Sequence, residues 1–293
     1  MHAKDYTITT ETGRQLSLSE AGQADGVPVL VHHGTPSSQL LSQSWVADAE
    51  RRGIRLISYN RPGYGDSTPH PGRNVASAAA DVAAIAKALE LSRLCTWGIS
   101  GGGPHALACA ALLPDLVAAA AALGSPAPHD ADGLDWMAGM GEDNIVEFNA
   151  ALAGREPLAQ FVAAATPALL GTDPAGLVQA LASLLSPADA AVLTTDFAQH
   201  LIDGFREAVG VSGEGWIDDD LAFTTPWGFD VRQIRLPVMV MQGAHDCFVP
   251  FAHGQWLASH IPHVEARLLL DDGHLTLTAN RIPEVHAWLL SKL

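Results

Sequence analysis

Thr96-Trp97-Gly98-Ile99-Ser100-Gly101-Gly102-Gly103-Pro104 is the stretch whose reading decides the fold. Before it, Arg93-Leu94-Cys95-Thr96-Trp97 is short, apolar and bounded by a turn signal, the pattern of a buried strand. After it, Ala106 to Leu113 is apolar all round and stops at Pro114, the pattern of a buried helix. The chain is therefore expected to pass from strand to helix through one tight turn with Ser100 at its tip. The flanking glycines suit a G-x-S-x-G turn, because a larger neighbour would collide with the adjoining strand or helix. Such a helix also points its free N–H groups and positive dipole end at the serine. Serine is a poor nucleophile at neutral pH, so it needs a base, and the base needs an acid to orient it.

Outward from this turn, strands and helices alternate. Tyr6 to Thr10 and Gln15 to Glu20 read as an opening hairpin around Thr12-Gly13-Arg14. Pro28 to His32 reads as a buried strand ending at His33-Gly34-Thr35-Pro36, a loop whose backbone N–H groups are not committed to a ladder. A helix is expected over Gln39 to Arg52, a strand over Ile54 to Tyr59, a turn at Asn60 to Ser67 and a helix over Val75 to Leu89. Leu116 to Leu123 is the strand after the central helix. The pattern predicts an α/β fold with a mostly parallel, doubly wound sheet.

From about Pro126 to Ile234 the segments read as helices, among them Asn144 to Ala153, Leu158 to Ala165, Ala175 to Leu185 and Ala188 to Val209. No strand pattern interrupts them. Structureless loops of that length are rare, so residues 126–234 are expected to be an all-helical cap inserted into a core made of 1–125 and 235–293. Strands resume at Pro237 to Gln242 and Val264 to Leu270, with helices over Ala252 to His260 and Pro283 to Leu293.

Composition sets the outer limits. With 293 residues, 48% hydrophobic and 16% charged, the chain can bury a large core and is not disordered. A net charge of −16, without a basic patch among 16 Lys and Arg, argues against nucleic acid and anionic membranes as partners. Cys95, Cys109 and Cys247 lack paired spacing and read as packed small residues in a reducing compartment. Met1 to Tyr6 has no apolar signal-peptide stretch, and the apolar region from Leu107 to Leu123 is broken by Pro114 and Asp115. A cytoplasmic protein, a monomer or homodimer acting on a small molecule, is the expectation.

In parallel sheets reactive groups gather beyond the C-terminal ends of strands. Asp246 follows the Pro237 strand, and His274 follows the last strand directly, unlike its rivals His245, His253 and His263. The order Ser100, Asp246, His274 is that of a known triad arrangement. With the His33-Gly34 loop, Arg61-Pro62-Gly63-Tyr64-Gly65-Asp66-Ser67 and Gly273-His274, the sequence resembles the α/β-hydrolase family over essentially its full length. The resemblance implies a sheet of about eight strands. It also implies Ser100 as nucleophile, His274 as general base and acid, and Asp246 as the group orienting the imidazole. The backbone N–H groups of Gly101 and Thr35 would form the oxyanion hole.

The expected function is that of a serine hydrolase cleaving a small, mostly apolar carboxylic ester, lactone or thioester through an acyl-enzyme. Trp136, Met140, Phe148 and Trp227 are the candidate pocket residues, and the cap should set substrate choice. His32, His33 and His105 are expected to be structural. Haloalkane dehalogenases and epoxide hydrolases are disfavoured, since they carry aspartate where this chain has Ser100. An aminopeptidase or amidase resembling the proline iminopeptidases stays open, with Glu142, Glu147 and Glu207 as unremarkable cap acids. So does a non-catalytic, ligand-binding relative. Gly101 to Ala106 fits G-x-G-x-x-A, but Pro104 interrupts the turn and no acid follows at the dinucleotide spacing. The histidines show no metal-ligand spacing, so neither metal nor cofactor is expected.

Overall fold

Short runs of buried, mostly apolar residues pair into one sheet, and the segments between them coil over its faces. The computed structural model describes residues 3–293. β1 (Lys4–Thr9) and β2 (Gln15–Gly22) form the antiparallel hairpin, followed by β3 (Val27–His32), α1 (Gln43–Arg52), β4 (Ile54–Tyr59) and α2 (Ser77–Ala88). β5 (Leu94–Ile99), α3 (Gly102–Leu112) and β6 (Val117–Leu123) complete the first half. Six helices come next: α4 (Glu142–Ala153), α5 (Arg155–Gly171), α6 (Pro174–Ala180), α7 (Pro187–Val192), α8 (Thr195–Val209) and α9 (Glu214–Phe223). The chain then closes through β7 (Val238–Gly243), α10 (Phe251–His260), β8 (Glu265–Leu269), α11 (Leu275–Asn280) and α12 (Ile282–Leu290).

The eight strands lie in the order β1-β2-β4-β3-β5-β6-β7-β8, parallel from β4 onward. After β3 the chain goes to β4 on one side, then crosses to β5 on the other. The crevice where such an order reverses is where doubly wound sheets present their ligands. β5 and β6 are buried at every residue, as strands covered on both faces must be. Trp45 and Ala49 of α1 pack with Trp288 and Leu289 of α12 on one face. Val82 and Ile85 of α2, Leu107 of α3 and Leu257 of α10 cover the other.

Between β6 and β7 no strand occurs, and α4, α5, α8 and α9 pack on Tyr64 in an apolar cluster around Leu158, Val162, Val209, Trp216 and Ile217. Among the described residues no helix is long and apolar enough to cross a membrane.

Several boundaries differ from those the sequence suggests. α1 starts at Gln43, because Gln39 is held in the preceding loop: its N–H donates to Asn60 Oδ1 at 2.8 Å and its Oε1 accepts from Ser17 Oγ at 2.8 Å. The expected Ala188 to Val209 helix is two helices. Thr194 breaks it, its hydroxyl capping α8 by accepting from the Phe197 N–H at 3.4 Å. α9 and α11 answer to no segment singled out in the sequence.

Candidate functional site

Ser100 sits between β5 and α3 with φ 54°, a left-handed conformation that L-residues hold only when their surroundings impose it. The surroundings are close. A Cβ at Gly98 would lie 2.1 Å from the Gly102 carbonyl oxygen, and one at Gly102 would lie 2.1 Å from that of His32. The turn is pinned to the sheet by the Ser100 N–H, which donates to Leu123 O at 2.8 Å, and to α3 by Gly103 N–H to Ser100 O at 2.8 Å.

Asp246 and His274 meet beyond β7 and β8. The Asp246 Oδ2 is 2.7 Å from His274 Nδ1 and also accepts Gln242 Nε2–H at 2.9 Å. Its Oδ1 accepts the N–H groups of Phe248 and Val249 at 2.9 and 2.8 Å. Every lone pair direction of the buried carboxylate is thus engaged, which fixes its position. Phe248 stacks on the imidazole with 4.6 Å between ring centroids. Burial favours neutral His274, but Asp246 and, less strongly, Asp189 outweigh it and raise its pKa above the ordinary imidazole value.

The other buried histidines behave differently. Burial and the Arg61 charge push His32 down to about 3 and hold His33 and His105 well below the usual range. Burial lowers His253 to about 4, and also lowers His286. Two of them tie down loops: His33 Nδ1 is 2.7 Å from Gly34 O, and His253 Nδ1 accepts the Ala127 N–H at 3.0 Å. His245 and His263 are exposed.

The loop after β3 is held from two directions. Arg61, 1% exposed, donates from Nη1 to His33 O at 2.5 Å and from Nη2 to Gly34 O and Thr35 Oγ1, each at 3.0 Å. Asp219, on α9, accepts at Oδ2 from Thr35 Oγ1 (2.7 Å), Tyr64 Oη (2.8 Å) and Arg61 Nη2 (2.6 Å). Its Oδ1 meets Arg73 Nη1 at 2.7 Å and His105 Nε2 at 3.3 Å. Burial alone would raise the Asp219 pKa, but Arg61 and Arg73 hold it well below the ordinary carboxylate range. Thr35 abuts the Ser100 turn: a Cβ on Gly101 would lie 2.3 Å from Thr35 Oγ1.

α7 supplies a third support. Asp189, fully buried, accepts at Oδ1 from the N–H groups of Leu275 and Thr276 at 2.6 and 3.2 Å. Its Oδ2 accepts from the His274 N–H at 3.1 Å and from Ser186 Oγ at 2.8 Å. A residue distant in sequence thereby caps the first turn of α11, the helix whose N-cap position is His274.

Two cavities meet at Ser100, Thr35 and Phe248. The larger, about 310 Å³, is lined by Gly101, Trp136, Met140, Phe148, Phe161 and Phe223 among others, with the carboxyls of Glu147 and Asp220 on its wall. The smaller, about 120 Å³, includes Trp45, Phe197, His200, His274 and Leu275.

Ser100 and Thr35 line both cavities, Gly101, Trp136, Met140 and Phe148 the larger and His274 the smaller, while Asp246 lies behind His274 and lines neither. Trp227 is outside both: it is 3% exposed and packed in the core with its ring centroid 5.7 Å from that of Phe229. Its position where the insert rejoins the sheet turns it inward. Of the acids considered, Glu142 is exposed, and Glu207 holds a loop by accepting from Asn60 Nδ2 at 2.9 Å and Ser38 Oγ at 3.2 Å. Asp189, Asp219 and Asp220 carry no local motif that would have marked them. Among the described residues no three His, Cys, Asp or Glu side chains converge as metal ligands would.

Comparison with known proteins agrees with this architecture. The α/β hydrolase fold family model matches residues 27–278. A non-heme chloroperoxidase of Streptomyces lividans is 29% identical over 251 residues, covering 84% of each chain. An uncharacterised hydrolase of Bacillus subtilis, YcgS, is 26% identical over all of this chain and 99% of its own. Among solved structures, a thermophilic esterase from Thermogutta terrifontis superposes with a TM-score of 0.69 at 21% identity, over 100% of this chain and 99% of that one. At that identity the structural likeness speaks for the fold, and the family match over most of the chain says the rest: this protein belongs to the α/β hydrolase fold family.

Proposed function

We propose that the protein is a serine hydrolase that cleaves a small carboxylic ester, with lactones and thioesters as close variants, through an acyl-enzyme. The observation that carries this reading is the buried His274–Asp246 pair at 2.7 Å, whose His274 lines the smaller cavity together with a serine held at φ 54°. Asp246 keeps the proton of His274 on Nδ1, which leaves Nε2 to take the Ser100 proton as the hydroxyl oxygen attacks the carbonyl. The Gly101 and Thr35 amides stabilise the developing oxyanion, each contributing about 3 kcal/mol by analogy with measured sites. His274 then protonates the leaving group and activates water to release the acid.

The two cavities suit the two sides of an ester, and their walls are predominantly apolar. The helical insert, residues 126–234, acts as a cap and sets substrate choice, since it contributes Trp136, Met140, Phe148 and Phe161. A fluorophosphonate probe tests the nucleophile: labelling of the folded chain that vanishes in Ser100→Ala is expected, and an unlabelled wild type contradicts the reading. A p-nitrophenyl ester series, followed by aminoacyl naphthylamides, tests the substrate class. Turnover confined to the amides would replace the esterase by the aminopeptidase.

A further inference from the structure

Three consecutive aspartates on α9 receive different treatment from the fold. Asp218 is paired by Arg155, whose Nη1 lies at 2.6 Å, and Asp219 by Arg61 and Arg73 at 2.6 and 2.7 Å. Asp220 is 1% exposed, and neither of its carboxyl oxygens accepts a well-formed hydrogen bond from an N–H or O–H group; what stands within reach of it is the Glu147 carboxyl and the Trp216 indole. It is also the one of the three that lines the larger cavity. Beside it on that wall stands Glu147 of α4, whose Oε1 accepts the Trp216 indole N–H at 2.5 Å.

Two carboxyls in an apolar cavity are an unfavourable arrangement unless a proton or a cation joins them. Burial and then the Glu147 charge push Asp220 well above the ordinary carboxylate range, and burial likewise raises Glu147. The charged neighbours do not relieve this: Asp219 and Asp143 add negative charge, while Arg61 and Arg73 are engaged by Asp219 and Arg155 by Asp218 and Glu214. A group needed only for packing would be better served by an apolar side chain.

We propose that the Glu147–Asp220 pair binds the protonated amino group of the substrate, which enters the larger cavity with its ammonium at the pair and its carbonyl at Ser100. This rests on reading the cavity as the substrate site of the hydrolase. An ammonium offers three N–H donors. They match the acceptor oxygens that the Asp220 and Glu147 carboxyls present together, and its charge compensates the pair. A hydroxyl supplies one donor and no charge, and an anion is repelled. The walls formed by Trp136, Phe148 and Phe161 suit an alkyl or aryl stem behind the amine.

Binding of n-hexylamine and n-hexanol to the full chain, measured by calorimetry at neutral pH, tests the assignment without hydrolysis. The amine is expected to bind at least about tenfold tighter than the alcohol, and the preference to fall to within about threefold in Asp220→Asn and in Glu147→Gln. Equal affinities on the wild type, or a preference that survives both substitutions, overturn the proposal. If Asp220→Asn fails to fold, Glu147→Gln and the wild-type comparison still decide. Ester turnover without an amine preference sinks the ammonium assignment alone. An amine preference without Ser100 labelling sinks the hydrolase chemistry and leaves a cation-binding cavity.

Discussion

His274 is under two opposed influences, burial that disfavours its charge and the Asp246 carboxylate 2.7 Å away that favours it, and the carboxylate prevails. On the proposed mechanism the free enzyme needs neutral His274, so kcat/KM rises with pH through a pKa above the ordinary imidazole value of about 6.5. Asp246→Asn removes the anion and leaves the burial, so the acid limb is expected to move to lower pH while the rate falls by about 10⁴. A pH profile of kcat/KM checks both, and an unmoved limb contradicts the pairing. At this scale Ser100, Asp246 and His274 were legible because each stands beside a glycine-bearing turn at the end of an apolar run. Asp219 and Asp220 were not. An acidic triplet on a helix reads as a solvated face, and only the docking of α9 over the β3 loop buries it.

Among the elements, α11 depends on a partner from outside its own segment. Asp189 of α7 does for its first turn what a local Ser or Asp ordinarily does, and helix caps of this kind contribute about 1 kcal/mol. Gly273 leaves room for it, since a Cβ there would lie 2.2 Å from Asp189 Oδ2. Gly273→Ala should therefore displace Asp189 and with it His274. Turnover is expected to fall about ten- to a hundredfold, since small misplacements of a reacting group are costly, with a loss of stability of only about 1–3 kcal/mol. Comparison of kcat with the urea midpoint measures the two effects separately. Sequence periodicity found the helices of the insert as existing but not where they break. Thr194-Thr195-Asp196 interrupts an otherwise helix-compatible run, and the Thr194 hydroxyl divides it by accepting from the Phe197 N–H.

For the molecule as a whole, Asp219 is the junction between insert and sheet, joining α9 to the loops that carry Thr35, Arg61 and Arg73. Its folded pKa is depressed, so its contribution is complete above the unfolded carboxylate pKa of about 3.9 and is lost as pH falls through the lower folded value. Asp219→Ala leaves two buried cations without their anion and should cost about 3–5 kcal/mol at pH 7. Urea titrations should show the gap from wild type narrowing below about pH 4, and a gap independent of pH would contradict the electrostatic account. The sheet itself could be read from sequence, since strands buried on both faces leave continuous apolar runs. How the insert settles on it could not, because that depends on ion pairs between residues more than a hundred positions apart.

Asp189 and Asp219 both reach from the insert to the loops that hold His274 and Thr35. The helices between β6 and β7 thus act as a jig, setting two of the loops they touch. Grafting a relative's helices between β6 and β7 onto this sheet should therefore leave the His274 and Thr35 loops unsupported, unless the graft carries aspartates at these two positions.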